Sequence, residues 1–242
     1  MKSWIPNSFS LGNGVCGFLA VYHVFHTGKV EWACYLILIA AVLDVFDGLL
    51  ARALKVAGPL GKELDSMADA VSFGVAPAAL CWYILDNAVP GELGMFLFFP
   101  CFILAMSLYR LAKFNIDTRQ SFGFIGMPTP ANALFWIGAV MIHQSVNLPE
   151  WMSSWSHNAI IVSALAFVLA LLLNTSLPLL SIKFKQFIWK GNQYKILLLV
   201  FAFAMLIIGV VFFKNFFVML PFVLLLYLGF SVIHHLTSKN EI

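Results

Sequence analysis

Residues 44–69 read DVFDGLLARALKVAGPLGKELDSMAD, and four aspartates stand in this stretch beside two strongly apolar segments. Asp44 and Asp47 are three residues apart, while Asp65 and Asp69 are four apart. Residues at these spacings lie on the same face of an α-helix. The stretch therefore predicts two helices, each presenting a pair of carboxylates, with a turn at the Gly and Pro residues between the pairs.

The composition of the whole chain indicates a membrane protein. Of its 242 residues, 62% are hydrophobic and only 10% are charged, and the mean hydropathy is +0.92. Soluble domains are roughly 25% charged, so this composition excludes a water-soluble globule, and it excludes a disordered chain as well. The formal net charge of +3 is too small to predict a nucleic-acid partner.

Apolar intervals with few or no charges predict the membrane spans, because a helix needs about 20 apolar residues to cross the ~30 Å hydrocarbon core. Eight such intervals predict an all-α fold, a polytopic membrane helix bundle of about eight transmembrane helices that forms a single integral membrane domain over residues 1–242. The predicted spans are 10–25, 32–50, 65–85, 95–111, 130–144, 158–177, 196–213 and 216–234.

The distribution of basic residues predicts the orientation, since short cytoplasmic loops carry an excess of Lys and Arg. With the N-terminus inside, 12 of the 14 basic residues fall on the cytoplasmic side, and only Lys29 and Lys214 fall outside. The sequence therefore predicts that both termini and the four aspartates lie at the cytoplasmic face. The 12 residues are Lys2, Arg52, Lys55, Lys62, Arg110, Lys113, Arg119, Lys183, Lys185, Lys190, Lys195 and Lys239.

Carboxylates at the membrane boundary need cations or protons, because an unpaired charge there costs several kcal/mol. One interpretation pairs them with Arg52, Lys55 and Lys62 in surface ion pairs, but it leaves the helical spacing of the acids unexplained. The other is a site for two divalent cations, Mg²⁺, Mn²⁺ or Ca²⁺, since hard ions favour oxygen ligands and metal pairs recur in phosphoryl chemistry. Arg52 would add a planar guanidinium suited to a phosphate.

The aspartates belong to a longer pattern, D-x2-D-G-x2-A-R-x8-G-x3-D-x3-D, and all eight of its fixed positions are present. It resembles the signature of the CDP-alcohol phosphotransferases. The resemblance implies a six-helix catalytic core, here residues 5–185, followed by two additional transmembrane helices within 196–234. The eight positions are Asp44, Asp47, Gly48, Ala51, Arg52, Gly61, Asp65 and Asp69.

The resemblance also implies roles for individual residues. One divalent cation would be held by Asp44, Asp47 and Asp65, and a second by Asp44, Asp65 and Asp69. Asp69 would in addition be the general base. Several relatives carry Ser or Thr at the position of Gly58 as a phosphate contact, so here a backbone N–H would have to supply it. The residues implied to bind the CDP diphosphate are Asn7, Gly48, Ala51, Arg52, Gly58 and Gly61.

Further segments narrow the resemblance to the phosphatidylserine synthase branch of bacteria and archaea. That branch implies transfer of the phosphatidyl group from CDP-diacylglycerol to the hydroxyl of L-serine, with release of CMP, in the cell (inner) membrane and in contact with membrane lipids. From the resemblance alone, we also expect a homodimer. The segments are IPN at 5–7, GKELDSMADAVSFGVAPA at 61–78, RLAKFN at 110–115, GFIGMPTPANA at 123–133 and NTSLPLLSIKFK at 174–185.

The cytoplasmic connection after the fourth predicted span supplies candidates for binding the acceptor alcohol. Arg110 and Asn115 would contact the amino acid, whose carboxylate and ammonium each need a partner. Gly126, Pro128 and Thr129 would form a wall shaped by the backbone, because the two prolines that flank Thr129 predict that no regular helix forms there.

Two alternatives remain open from the sequence. Glycerol 3-phosphate or inositol phosphate would also be acceptors for such chemistry, and their dianionic phosphates would need a denser cationic pocket than serine. A function of a different class is an ion or proton transporter lined by carboxylates. Transporters often show inverted repeats, and none is visible in this sequence.

Overall fold

All regular elements in the described part of the chain are helical, as predicted from the sequence. The computed structural model describes residues 2–91, 93–116, 126–175, 179 and 192–239. The helices are α1 (Trp4–Tyr22), α2 (Val30–Ala53), α3 (Pro59–Asp69), α4 (Ala76–Ala88), α5 (Phe98–Ile116), α6 (Thr129–Gln144), α7 (Glu150–Ser153), α8 (Ala159–Leu173), α9 (Gln193–Phe213) and α10 (Leu220–Lys239).

Several of these helices are long and apolar enough to cross a membrane, which makes the chain an integral membrane protein. Within the described residues there are five such segments, and a sixth if Glu150–His157 and Ala159–Leu173, bent by 82°, count as one span. The five are Trp4–Thr27, Val30–Ala53, Pro59–Ala88, Gln193–Phe213 and Phe216–His234.

This number is lower than the eight spans predicted from the apolar intervals of the sequence. The predicted spans 95–111 and 130–144 correspond to α5 and α6, which form where expected but do not qualify by length and composition. With 16 residues, α6 is about 24 Å long, and the C-terminal half of α5 carries Arg110 and Lys113. Counting apolar intervals therefore gives more spans than there are described helices that qualify by length and composition.

Helix α1 packs between α2 and α3, and its small residues allow the close approach. A side chain at Gly17 would collide with the backbone of Ser72, whose Cα and N lie 2.7 and 2.8 Å from the position of the missing Cβ. One turn earlier, Gly14 faces Ala68 at 3.5 Å. The first helix is thus in contact with both helices that carry the aspartate pairs.

The second aspartate pair lies on a long helical segment that continues well beyond it. Helix α3 begins at Pro59, passes through a π-helical segment at Ala70–Val75 directly after Asp69, and continues as α4. Pro59 is in the first turn of α3, where its missing N–H removes no helical hydrogen bond. The turn predicted at Gly58-Pro59 is confirmed, since α2 ends at Ala53 and α3 begins at Pro59.

The last two helices lie on the periphery of the bundle. In α9, all of whose residues are described, only Leu198 and Gly209 are buried. Helix α10 packs against α6 at Gly138, where an added Cβ would collide with Pro221 and with the carbonyl oxygen of Phe217. Most of the apolar surface of α9 is therefore not covered by the other described residues.

Candidate active site

Three of the four aspartates form a compact cluster between α2 and α3. One carboxylate oxygen each of Asp44, Asp47 and Asp65 lies within 4.8 Å of the others. Asp47 is buried and the other two are half-buried. The two helical pairs predicted from the sequence are therefore brought face to face. Asp69, one turn beyond Asp65 on α3, is not a member of this group of three.

Helix α1 donates hydrogen bonds to both acidic helices. The hydroxyl of Ser10 donates to Oδ2 of Asp47 at 2.6 Å, and the amide of Asn13 donates to Oδ1 of Asp69 at 2.9 Å. The backbone carbonyl of Asn13 in turn accepts a hydrogen bond from the Ser72 hydroxyl at 2.8 Å. These donors hold one carboxylate of each pair in a fixed orientation.

Sequence reasoning missed Ser10 and Asn13, although a signal was present. Together with Asn7 they recur at every third residue of an otherwise apolar helix. Polar residues at that spacing share one helix face, and such a face in a membrane protein indicates a buried polar partner.

An open cleft of about 210 Å³ lies next to the aspartate cluster, and we call it the aspartate cleft. Asp47 and Asp65 line it, as do all six residues predicted to bind a diphosphate, whereas Asp44 and Asp69 are not among the lining residues. Its lining consists of Pro6, Asn7, Ser10, Asp47, Gly48, Ala51, Arg52, Val56, Ala57, Gly58, Gly61, Lys62 and Asp65.

Small residues shape the floor of this cleft. A Cβ at Gly61 would lie 3.2 Å from Oδ1 of Asn7, so α1 approaches α3 closely at this point. A Cβ at Gly48 would contact the guanidinium of Arg52 at 3.7 Å. Gly58 immediately precedes α3, so the positive end of that helix dipole is directed at the cleft. The cleft thus offers anions a guanidinium and a helix N-terminus.

The structure contradicts the interpretation of the acids as surface ion pairs. Among the described residues, none of Arg52, Lys55 and Lys62 forms an ion pair with any of the four aspartates. The side chain of Lys62 instead donates to the carbonyl oxygen of Asn115 at 2.7 Å. The acids are therefore available to an exogenous cation.

The cluster fits a hard divalent cation. Its potential ligands are carboxylate oxygens from two helices, and Oδ1 of Asp65 is buried without a hydrogen-bond partner among the described residues. Buried polar atoms are nearly always partnered, and oxygen ligands suit Mg²⁺, Mn²⁺ or Ca²⁺. The arrangement supports a metal site, and it does not distinguish among these ions.

The predicted acceptor residues are found in two different places. The side chain of Arg110 on α5 is only 8% exposed, and it lies within electrostatic range of Asp69 and of Tyr227 on α10. Its Nε has no hydrogen-bond partner among the described residues. Asn115, at the end of α5, contacts α3 instead, where its amide donates to the hydroxyl of Ser66 at 2.8 Å.

The segment before α6 is buried, and one expectation about it is wrong. Gly126 has a φ of +78°, and a Cβ there would lie 2.6 Å from the carbonyl oxygen of Leu173. Pro128 is extended and not helical, but Thr129 is the first residue of α6, with Pro130 in its first turn. Proline is tolerated there because it lacks only a donor that the helix would not use. Arg119 and residues 123–125 and 180–185 lie outside the described residues.

The family-level comparison agrees with the aspartate pattern. A family model described as CDP-alcohol phosphatidyltransferase matches residues 3–172, which is more than half of the chain. The chain belongs to the CDP-alcohol phosphatidyltransferase family. The match ends near the end of α8, so α9 and α10 of this CDP-alcohol phosphatidyltransferase lie beyond the matched segment.

Similar curated proteins carry related names. A CDP-diacylglycerol--serine O-phosphatidyltransferase of Bacillus subtilis (strain 168) is 39% identical over 130 residues, which cover 53% of this chain and 70% of that protein. One of Mycobacterium leprae (strain TN) is 34% identical over 160 residues, covering 62% of this chain and 51% of that protein. The archaetidylserine synthase of Methanothermobacter thermautotrophicus is 35% identical over 133 residues, or 54% of each. The chain thus spans about half the length of the last two.

Proposed function

We propose that this CDP-alcohol phosphatidyltransferase is a phosphatidylserine synthase, which transfers the phosphatidyl group of CDP-diacylglycerol to the hydroxyl of L-serine and releases CMP. The observation that carries the proposal is the aspartate cluster of α2 and α3 beside a cleft with Arg52 in its lining. The names of the similar proteins support serine as the acceptor.

Asp69 is the general base of the proposed reaction. A serine hydroxyl is a poor nucleophile near neutral pH and needs a carboxylate to take its proton as it attacks. Because Asn13 donates to Oδ1 of Asp69, that bond fixes the carboxyl group and leaves Oδ2 to receive the proton. The serine oxygen forms a bond to the lipid-side phosphorus, and the bond from that phosphorus to the CMP oxygen breaks with its electron pair.

The diphosphate binds in the aspartate cleft. Arg52 and the N-terminus of α3 neutralise part of its negative charge, and the small residues Gly48, Ala51 and Gly61 leave room for it. The backbone N–H at Gly58 supplies the phosphate contact that Ser or Thr would otherwise make. Asn7, which also lines the cleft, adds a polar contact from α1.

Two divalent cations would complete the site. We assign their ligands to Asp44, Asp47 and Asp65, with Asp69 contributing to the second ion. When bound, such ions would withdraw charge from the diphosphate and stabilise the departing CMP. The hydrogen bond from Ser10 keeps Asp47 oriented for this task.

The acceptor binds near Asp69, next to Arg110 on α5. Arg110 binds the serine carboxylate, since it is a buried cation within electrostatic range of Asp69. The segment from Gly126 to Pro128 and the first residue of α6, Thr129, form the adjoining wall. The active site and both termini face the cytoplasm of a bacterial or archaeal cell, where serine and nucleotides are dissolved. Dimerisation stays a prediction.

An acceptor panel tests the function. Purified protein in mixed micelles with CDP-diacylglycerol and Mn²⁺ is given serine, glycerol 3-phosphate or inositol phosphate, and CMP release is measured. We expect CMP with serine and only background with the other two. Turnover with a phosphorylated acceptor would overturn the serine assignment, and no nucleotide turnover with any acceptor would overturn the enzymatic function.

A further inference from the structure

Lys62 occupies a position that the family pattern leaves unspecified. It lies one residue after Gly61 on α3 and is one of the two cationic side chains that line the aspartate cleft among the described residues, the other being Arg52. Its ammonium has three N–H donors, and one of them is used, in the 2.7 Å hydrogen bond to the carbonyl oxygen of Asn115.

A closed set of hydrogen bonds holds Lys62 in place. Nζ of Lys62 donates to Asn115, the Asn115 amide donates to the Ser66 hydroxyl at 2.8 Å, and that hydroxyl donates to the carbonyl oxygen of Lys62 at 3.0 Å. We call these three residues the α3–α5 clasp. Lys62 and Ser66 are four residues apart and share one face of α3, so the clasp joins that face to the last turn of α5.

The clasp uses Asn115 differently from the acceptor contact predicted for it. Its amide nitrogen and its backbone oxygen are both engaged with α3. The bond to the backbone oxygen restrains the ammonium group of Lys62, a residue that lines the cleft, before any ligand arrives, and the bond to Ser66 holds Asn115 on α3. A restrained cation loses less conformational entropy when it binds an anion.

We propose that Lys62 binds the diphosphate of the nucleotide substrate, and that Asn115 and Ser66 are positioning residues for it. The inference deepens the proposed function and rests on it for the identity of the substrate. A compact ammonium donates to phosphate oxygens as a point charge, and the guanidinium of Arg52 in the same cleft offers a planar fork. Together they neutralise part of the negative charge of the two phosphates.

The test compares Lys62→Met with a matched control, Lys55→Met. Both substitutions remove one lysine charge close to the α2–α3 turn, but Lys55 is exposed and does not line the cleft. CDP binding in the presence of Mn²⁺ is measured by calorimetry, and KM values for CDP-diacylglycerol and serine are measured from CMP release. A charge-assisted hydrogen bond to a phosphate corresponds to about 10-fold in affinity.

We expect Lys62→Met to weaken CDP binding and raise the KM for CDP-diacylglycerol by about 10-fold, with the KM for serine changed less than about twofold. Lys62→Arg retains the charge and should recover most of the loss. Lys55→Met should leave all three values close to those of the wild type. Unchanged CDP binding by Lys62→Met, in a variant with wild-type thermal unfolding, would overturn the inference.

Asn115→Ala separates the positioning role from an acceptor role. The backbone oxygen that accepts from Lys62 remains in this variant, but the side-chain hydrogen bond to Ser66 that holds Asn115 on α3 is lost. We expect the KM for CDP-diacylglycerol to rise by about threefold, because the lysine is less well restrained while keeping its charge, and the KM for serine to stay unchanged. A selective rise in the KM for serine would overturn the positioning role. Calorimetry with CDP needs no acceptor, so loss of the serine assignment alone would not affect the result for Lys62.

Discussion

Replacing Asp69 by Asn tests the assignment of the base most directly. The two side chains have the same shape, and the amide oxygen of the new residue can still accept the 2.9 Å hydrogen bond from Asn13. The substitution therefore removes one negative charge and the carboxylate that would accept the proton, with little change in packing. A positioned general base contributes about 10²–10⁴-fold to a rate, or about 2.7–5.5 kcal/mol of transition-state stabilisation.

We therefore expect kcat of Asp69→Asn to fall by at least about 100-fold, while CDP binding, measured by calorimetry with Mn²⁺, stays within about one order of magnitude. The matched control is Glu63→Gln, which makes the same carboxylate-to-amide change at an exposed position of α3 outside the cleft lining. It should turn over like the wild type. Near-normal CMP release by Asp69→Asn would refute the base assignment.

Three further predictions concern the surroundings of the cluster. Ser10→Ala removes the hydrogen bond to Asp47 and should raise the Mn²⁺ concentration needed for half-maximal CMP release by about 10–100-fold. Saturating metal should restore the rate, and an unchanged metal titration would contradict this prediction. Gly17→Ala should lower the unfolding free energy by about 1–3 kcal/mol, because the new Cβ meets the Ser72 backbone. The measurement is thermal unfolding, and the control is Gly14→Ala, whose Cβ would have ordinary contact distances. Arg110→Ala should raise the KM for serine more than the KM for CDP-diacylglycerol, and equal effects on both would argue against a carboxylate contact.

The aspartate pairs could be predicted from sequence because their geometry is local. Helical spacing alone places Asp44 with Asp47 and Asp65 with Asp69, and the Gly-Pro turn brings the two pairs together. The donors from α1 could not be predicted in the same way, because which face of an apolar helix turns toward the acids depends on tertiary packing. That packing is visible only in contacts such as Gly17 against Ser72.

Helix boundaries depend on more than the local sequence. The third span was predicted to begin at residue 65, but α3 begins at Pro59, because a helix can continue through charged residues at its exposed end. The two flanking prolines predict that Thr129 lies outside a helix, but Thr129 is the first residue of α6. Asn115 was grouped with Arg110 by proximity in sequence, whereas their side chains make contacts with different partners.

The hydrogen bonds from α1 to the two acidic helices have a consequence for biosynthesis. Ser10 and Asn13 precede Asp47 and Asp69 in the chain, and helices are made and inserted in chain order, N-terminal first. The two carboxylates therefore enter the membrane after the groups that will solvate them. Each acidic helix is therefore synthesised when the α1 residue that will donate a hydrogen bond to its carboxylate already exists, which lowers the cost of placing that carboxylate at the membrane.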